Sequence, residues 1–233
     1  MKTAAILFSG GKDSCLALLK AKQQGYNIKY LLTILPTSQD SWMWHKPSLA
    51  LLKAQAAILE IPLVVQKSST EKEKEVKDLE KLLKKVEAKV RYLITGGIAS
   101  IYQKERIEKI AKKLNLNVIS PLWGFKPEKI WEEAFKHNFK IILTKVCCEG
   151  LDRKLLGKII DKDIFKVLIE RSKKYNFNLD LEGGEAETAV LDMPLFSKEI
   201  ALDYNIKSQG QYRHFIKIRD VRFKDKKKKS NLA

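Results

Sequence analysis

The sequence is short of cysteine. Cys15, Cys147 and Cys148 form no C-x-x-C pair and no ligand set with the three histidines, which excludes a disulfide-framed fold and argues against structural zinc. Long apolar runs are missing, and no stretch nears the ~20 residues of a membrane span. Met1-Lys2-Thr3 runs straight into apolar residues without the layout of a secretory leader, so a cytoplasmic protein with no membrane partner is expected. Internal repeats are absent. Two familiar nucleotide signatures are also missing, the Walker loop G-x-x-x-x-G-K-[ST] and the dinucleotide fingerprint G-x-G-x-x-G. Acidic residues are in deficit, with 28 Asp and Glu against 45 Lys and Arg and a formal charge of +17. An acidic macromolecule suits that balance as a partner, and lysines spread over helix faces for solubility suit it equally well.

What is present is enough apolar residue, 45% of 233, for one substantial core and a smaller second unit. Strand-like runs at 4–8, 28–35, 63–66, 92–95, 117–119 and 140–146 alternate with helical patterns at 14–24, 47–59, 71–86, 103–114 and 127–137. That alternation is the signature of βαβ units on a parallel sheet. In the third helix Val76, Leu79, Leu82, Leu83 and Val86 recur at helical spacing beneath a charged outer face. After Val146 the texture changes. A helix over 154–172, an acidic glycine-containing segment and strands over 200–206 and 212–223 predict a smaller α+β portion. The expected division is 1–146 for nucleotide binding, 147–223 for substrate, and a basic disordered tail over 224–233.

Six residues between the first strand and its helix carry the chemistry: Ser9-Gly10-Gly11-Lys12-Asp13-Ser14. A helix entered through glycines presents unpaired N–H groups that favour an anion. Gly10 and Gly11 let backbone approach it, Ser9 and Ser14 add hydroxyls, and Lys12 adds charge. Asp13 is out of place in an anion site unless a magnesium ion on the phosphates needs an oxygen ligand. The loop reads as a metal–pyrophosphate cradle at the carboxyl end of a central strand.

Ser9 to Ser14 after a first strand resembles the PP-loop of the N-type ATP pyrophosphatases, which cleave ATP between the α and β phosphates. Two later segments, Ser41-Trp42-Met43-Trp44-His45 and Glu182-Gly183-Gly184-Glu185-Ala186-Glu187-Thr188, resemble signatures of the diphthine-ammonia ligase family. Further similar pieces are Gly96-Gly97 with Tyr102-Gln103, Pro121 to Gly124, Gly150 to Asp152, and Leu191 to Phe196, all in the family's order. Three positions depart from the pattern: Ala186 where an aromatic residue is usual, Leu181 where glycine is expected, and Ala189 where a bulkier residue is common.

The resemblance implies a Rossmann-like α/β fold, adenine nucleotide alpha-hydrolase-like, with a parallel sheet in the order 3-2-1-4-5 and a smaller C-terminal α+β portion. It implies ATP with Mg2+ as cofactors, and an amide ligase that adenylates a carboxylate of diphthine on elongation factor 2 and transfers it to ammonium. Lys12, Asp13, Glu182 and Glu185 are then the expected catalytic residues, with Asp13 on the metal. Ser9 to Ser14 with Gly96 and Gly97 are expected to hold the nucleotide. Trp42, Met43, His45, Tyr102, Gln103 and the segment Glu182 to Thr188, including Gly183, Gly184 and Glu187, are expected on the substrate. The bare residues leave other readings open. The aromatics at 42–45 serve adenine, a quaternary ammonium or plain packing; the three glutamates serve a cation or form an acidic turn; Thr188 serves the site or is a strand residue. Three alternative functions also remain: action on tRNA, amidation of a small carboxylate as in cobalamin metabolism, and a nucleotide sensor without catalysis.

Overall fold

The computed structural model describes residues 1–36, 48–68 and 72–226. Five parallel strands, β1 (Lys2–Leu7), β2 (Tyr26–Pro36), β3 (Leu63–Ser68), β4 (Tyr92–Ile94) and β5 (Asn117–Ile119), form one sheet in the order β3-β2-β1-β4-β5. The helices between them are α1 (Lys12–Gln23), α2 (Leu49–Leu59), α3 (Lys72–Lys84), α4 (Ile101–Lys113) and α5 (Pro127–Lys136). Successive side chains on a strand point to opposite faces, and β1 shows the result. Ala4 and Ile6 pack with α1, α2 and Trp131 of α5, whereas Ala5 and Leu7 pack with Leu79, Leu82 and Leu83 of α3 and Ile107 and Ile110 of α4. Both faces are covered, and the strand order reverses between β1 and β4, which opens a crevice at their carboxyl ends.

The second sheet is antiparallel, in the order β7-β6-β9-β8, and is built from β6 (Lys140–Val146), β7 (Ala186–Asp192), β8 (Glu199–Gln209) and β9 (Arg213–Lys224). β6 lies where its apolar run predicts a strand, but it pairs with β7 and β9 instead of continuing the parallel sheet. β7 coincides with the acidic segment that sequence patterning left without a strand. The helix expected over 154–172 is shorter, α6 (Lys162–Tyr175). Leu156 and Ile159 bridge to β6, Gly157 sits at φ 72°, and the chain turns helical only where Asp161 accepts from the N–H groups of Asp163 and Ile164.

Ile141, Leu143 and Val190 of the second sheet belong to the same core as Leu16, Leu18 and Leu52, so the sheet is fixed over the open end of the first. Lys224 still pairs with Glu199, and Lys226 donates to the Met193 carbonyl at 2.7 Å. The rest of the basic run, and Trp42, Met43, Trp44 and His45, lie outside the described residues. Among the described residues no helix is long and apolar enough to cross a membrane.

Candidate active site

The loop between β1 and α1 is held open by contacts that only glycine allows. Gly10 has φ 74°, and a Cβ there would stand 2.1 Å from Gln55 Oε1. Its carbonyl accepts from Val190 N at 3.0 Å and from Gln55 Nε2 at 3.0 Å, while the same Nε2 donates to the Val190 carbonyl at 2.8 Å. Gln55 is fully buried on α2, so one amide ties the loop, α2 and β7 together. Nothing in the local sequence marks it, because its partners lie 45 and 135 residues away.

Four N–H groups head α1, and only two find an acceptor among the described residues. Gly11 N donates to Ser9 Oγ at 3.4 Å and Lys12 N to Thr188 Oγ1 at 3.1 Å. The first i to i−4 bond is Cys15 N to the Gly11 carbonyl at 3.1 Å, which leaves the N–H groups of Asp13 and Ser14 without an acceptor among the described residues. Gly96 presses against this corner, where a Cβ would lie 3.0 Å from Ser14 N. Ser9 and Ser14 share a hydroxyl bond at 3.2 Å. Paired hydroxyls, open N–H groups and a helix N-terminus form the cradle that the sequence suggests. Thr188 serves here as the cap supplied by β7.

Lys12 does not face this cradle. Its side chain is 2% exposed, and Nζ donates to Asp13 Oδ2 at 2.7 Å and to the Asp180 carbonyl, 5.8 Å from the centre of the Trp131 ring. Burial pulls the amine down, but the carboxylates of Asp13, Glu182 and Asp180 more than offset it and hold the group above its ordinary value. Lys12 therefore stays a cation and braces the loop against the acidic segment.

Asp13 is the most perturbed carboxyl at the site. Burial pushes it up to about 7; Lys12 opposes the rise, and the neighbouring Glu182 carboxylate adds to it. Its Oδ1 is buried with no hydrogen-bond partner, a costly state that a ligand would relieve.

Two openings converge here. A pocket of about 120 Å³ runs over the ends of β1, β2 and β4 past Thr33, Thr95, Gly97 and Gln103. A larger cleft of about 350 Å³ reaches under the second sheet past Thr144, Lys145, Glu187 and Phe215. The residues common to both linings are Ser9, Asp13 and Glu182.

The acidic segment splits in two. Glu182 stands at the junction, but Glu185 turns away and lines neither opening; its Oε1 accepts from Asn178 N at 3.2 Å and from Asn178 Nδ2 at 3.0 Å. Backbone twists cause the split: Gly184 has φ 90° and Leu181 φ 63°. Leucine at 181 adopts the left-handed region at a cost of about 1–2 kcal/mol, offset by its burial to 2% exposure. Ala186 lines the larger cleft and is itself buried, at 3% exposure. Tyr102 lines neither opening; the Arg106 guanidinium lies 3.4 Å above its ring. Glu182→Gln is expected to slow turnover far more than Glu185→Gln, with the latter lowering thermal stability; steady-state rates beside melting curves check this.

The fold and the loop define an ATP-binding α/β protein of the PP-loop class. The model of the diphthamide synthase N-terminal domain matches residues 1–118, and that of its C-terminal domain residues 126–223. The chain is 35% identical over 224 residues to the diphthine–ammonia ligases of Bos taurus and Homo sapiens, covering 87% of this chain and 83% of each relative. A solved structure described as a predicted subunit of tRNA methyltransferase from Methanocaldococcus jannaschii aligns at a TM-score of 0.46 and 19% identity, over 83% of this chain and 98% of that one. This chain belongs to the diphthamide synthase family, and membership makes it an enzyme, an ATP-using ligase.

Proposed function

We propose that this enzyme joins ammonia to the carboxylate of diphthine, forming diphthamide and converting ATP to AMP and pyrophosphate. The observation that carries the reading is the junction itself. Among the described residues a nucleotide pocket and an acceptor cleft share only Ser9, Asp13 and Glu182, which gives the α-phosphate and the acceptor carboxylate a place to meet. A carboxylate is a poor electrophile at neutral pH, and taking up AMP gives it a good leaving group. With adenine over the ends of β1, β2 and β4, the departing pyrophosphate faces the hydroxyls of Ser9 and Ser14 and the open N–H groups of Asp13 and Ser14, where they stabilise the charge that develops. Ammonium must lose a proton before it attacks the acyl-adenylate, and Glu182 is the carboxylate at the junction to accept it.

The orphaned oxygen of Asp13 beside Glu182 fits magnesium, which takes one or two protein carboxylates together with substrate phosphates. The ion would supply charge neutralisation on the phosphates. Asp13 holds a proton in the free protein up to about pH 7, against an ordinary value of 3.8. Its contribution to stability is therefore present in full below about pH 4 and is lost as pH rises through 7. Magnesium–nucleotide binding needs the anion, so affinity should rise through the same window with release of a proton. Titration calorimetry in buffers of different ionisation enthalpy reads that release, and its persistence in Asp13→Asn would count against the assignment.

We place the acceptor on elongation factor 2 and the enzyme in the cytoplasm. Thiolation of tRNA finds little support, since burial and then the Glu185 carboxylate push the Cys148 thiol up to about 11 and Cys15 is fully buried. Acceptor carboxylate labelled with heavy oxygen tests the chemistry: one labelled oxygen should appear in AMP, and ADP or unlabelled AMP would overturn the adenylate route.

A further inference from the structure

The larger cleft is floored by one row of side chains drawn from three strands. Lys145 of β6 is in register with Glu187 of β7 on one side and with Phe215 of β9 on the other, and directly opposed residues share a face. Lys217, two residues along β9, falls on that face as well, and all four line the cleft. Lys145 Nζ lies 3.0 Å from Glu187 Oε1, with each side chain 18% exposed. Among the described residues Lys217 has no carboxylate partner. The rest of the lining is mixed: Leu51, Leu52, Leu181 and Ile218 are aliphatic, while Lys12, Asp13 and Glu182 stand at the junction end.

Such a floor suits one kind of charge distribution. A quaternary ammonium has no N–H to donate, so it is recognised by an aromatic face and a nearby carboxylate, here Phe215 and Glu187. A carboxylate needs donors, here Lys145 and Lys217. A ligand with only positive charge would leave Lys217 without a counter-charge, and one with only negative charge would stand against Glu187 and leave the Phe215 face unused. We infer that Glu187, Lys145, Phe215 and Lys217 form an acceptor subsite for a betaine, a side chain that carries a quaternary ammonium and a carboxylate together. The inference rests on the ligase reading for the identity of the acceptor. It also gives the reaction a direction of release. Amidation removes the negative charge and leaves a cation against two lysines, so the product leaves the site that its precursor fills.

The test uses the full chain and a small probe, 4-(trimethylammonio)butanoate, with 4-aminobutanoate and the amide of the probe as comparators, followed by ligand-observed NMR. The betaine should bind roughly tenfold or more tighter than either comparator. Glu187→Gln and Phe215→Leu should each lose that preference while melting midpoint and ATP binding hold. Phe215→Leu leaves the ion pair intact, so its result stands even if Glu187→Gln perturbs folding. Equal binding of all three probes, or full preference retained in Phe215→Leu, overturns the subsite. With diphthine-bearing protein, the KM for that protein should rise in both variants. An unmoved KM with AMP still formed would sink the subsite and leave the ligase reading standing. Betaine preference without AMP from any diphthine-bearing protein would do the reverse.

Discussion

Asp13→Ala should lower AMP formation by about 10²–10³-fold, with a fall in melting midpoint beside it because the buried Lys12 cation loses its carboxylate. Its burial, with one oxygen orphaned and the carboxyl pushed up to about 7, works against the fold, but its other oxygen pairs with the buried Lys12 cation at 2.7 Å. Removing it relieves that burial, although Lys12 loses one of its two acceptors. Function is different, since Asp13 sits where nucleotide pocket and acceptor cleft meet. On the proposed assignment, the magnesium ion that would balance charge on the triphosphate and the departing pyrophosphate would lose its protein carboxylate. Single-turnover assays at saturating ATP, beside a melting curve, separate the two effects. A variant that is active would remove Asp13 from the chemistry, and one that is unfolded would make it structural.

Gly10→Ala is expected to cost stability as well as activity. A side chain at φ 74° costs about 1–2 kcal/mol, and a Cβ 2.1 Å from Gln55 Oε1 adds about 1–3 kcal/mol of overpacking. Gln55 can move only by releasing the Gly10 and Val190 carbonyls that it holds at 3.0 and 2.8 Å, which frees the loop from β7. The melting midpoint should fall by roughly 5–15 °C for a chain of this size, and ATP binding should weaken with it. Gly25→Ala is the control, since Gly25 also has a positive φ, 82°, but nothing within 4 Å. It carries the backbone cost alone, so an equal loss in both variants would show that the Gln55 clamp contributes nothing.

The parallel sheet was legible because alternating apolar runs and helical spacing are local signals, and β5 and β6 begin and end where the pattern put them. The cradle was legible because glycines and short polar residues between a strand and a helix have few other uses. What escaped reading depends on distance along the chain. β6 looks like one more parallel strand until its partners are known, and those lie 40 residues and more beyond it. Gln55, Phe215 and Lys217 reach the site only through such pairings. Glu182 and Glu185 are alike in sequence, and the left-handed turns at Leu181 and Gly184 send one to the junction and the other to Asn178. Lys12 reads as a phosphate ligand by type, but its amine lies on Asp13 and the Asp180 carbonyl under the Trp131 ring, a destination that required knowing where α5 packs.

The most direct measurement incubates the purified enzyme with ATP, magnesium, ammonium and diphthine-bearing elongation factor 2, and follows the factor by intact mass and the nucleotides by chromatography. The account predicts the mass change of a carboxylate becoming an amide, matched by equal AMP, and loss of both in Asp13→Ala. AMP without modification of the factor, or modification accompanied by ADP, would contradict it.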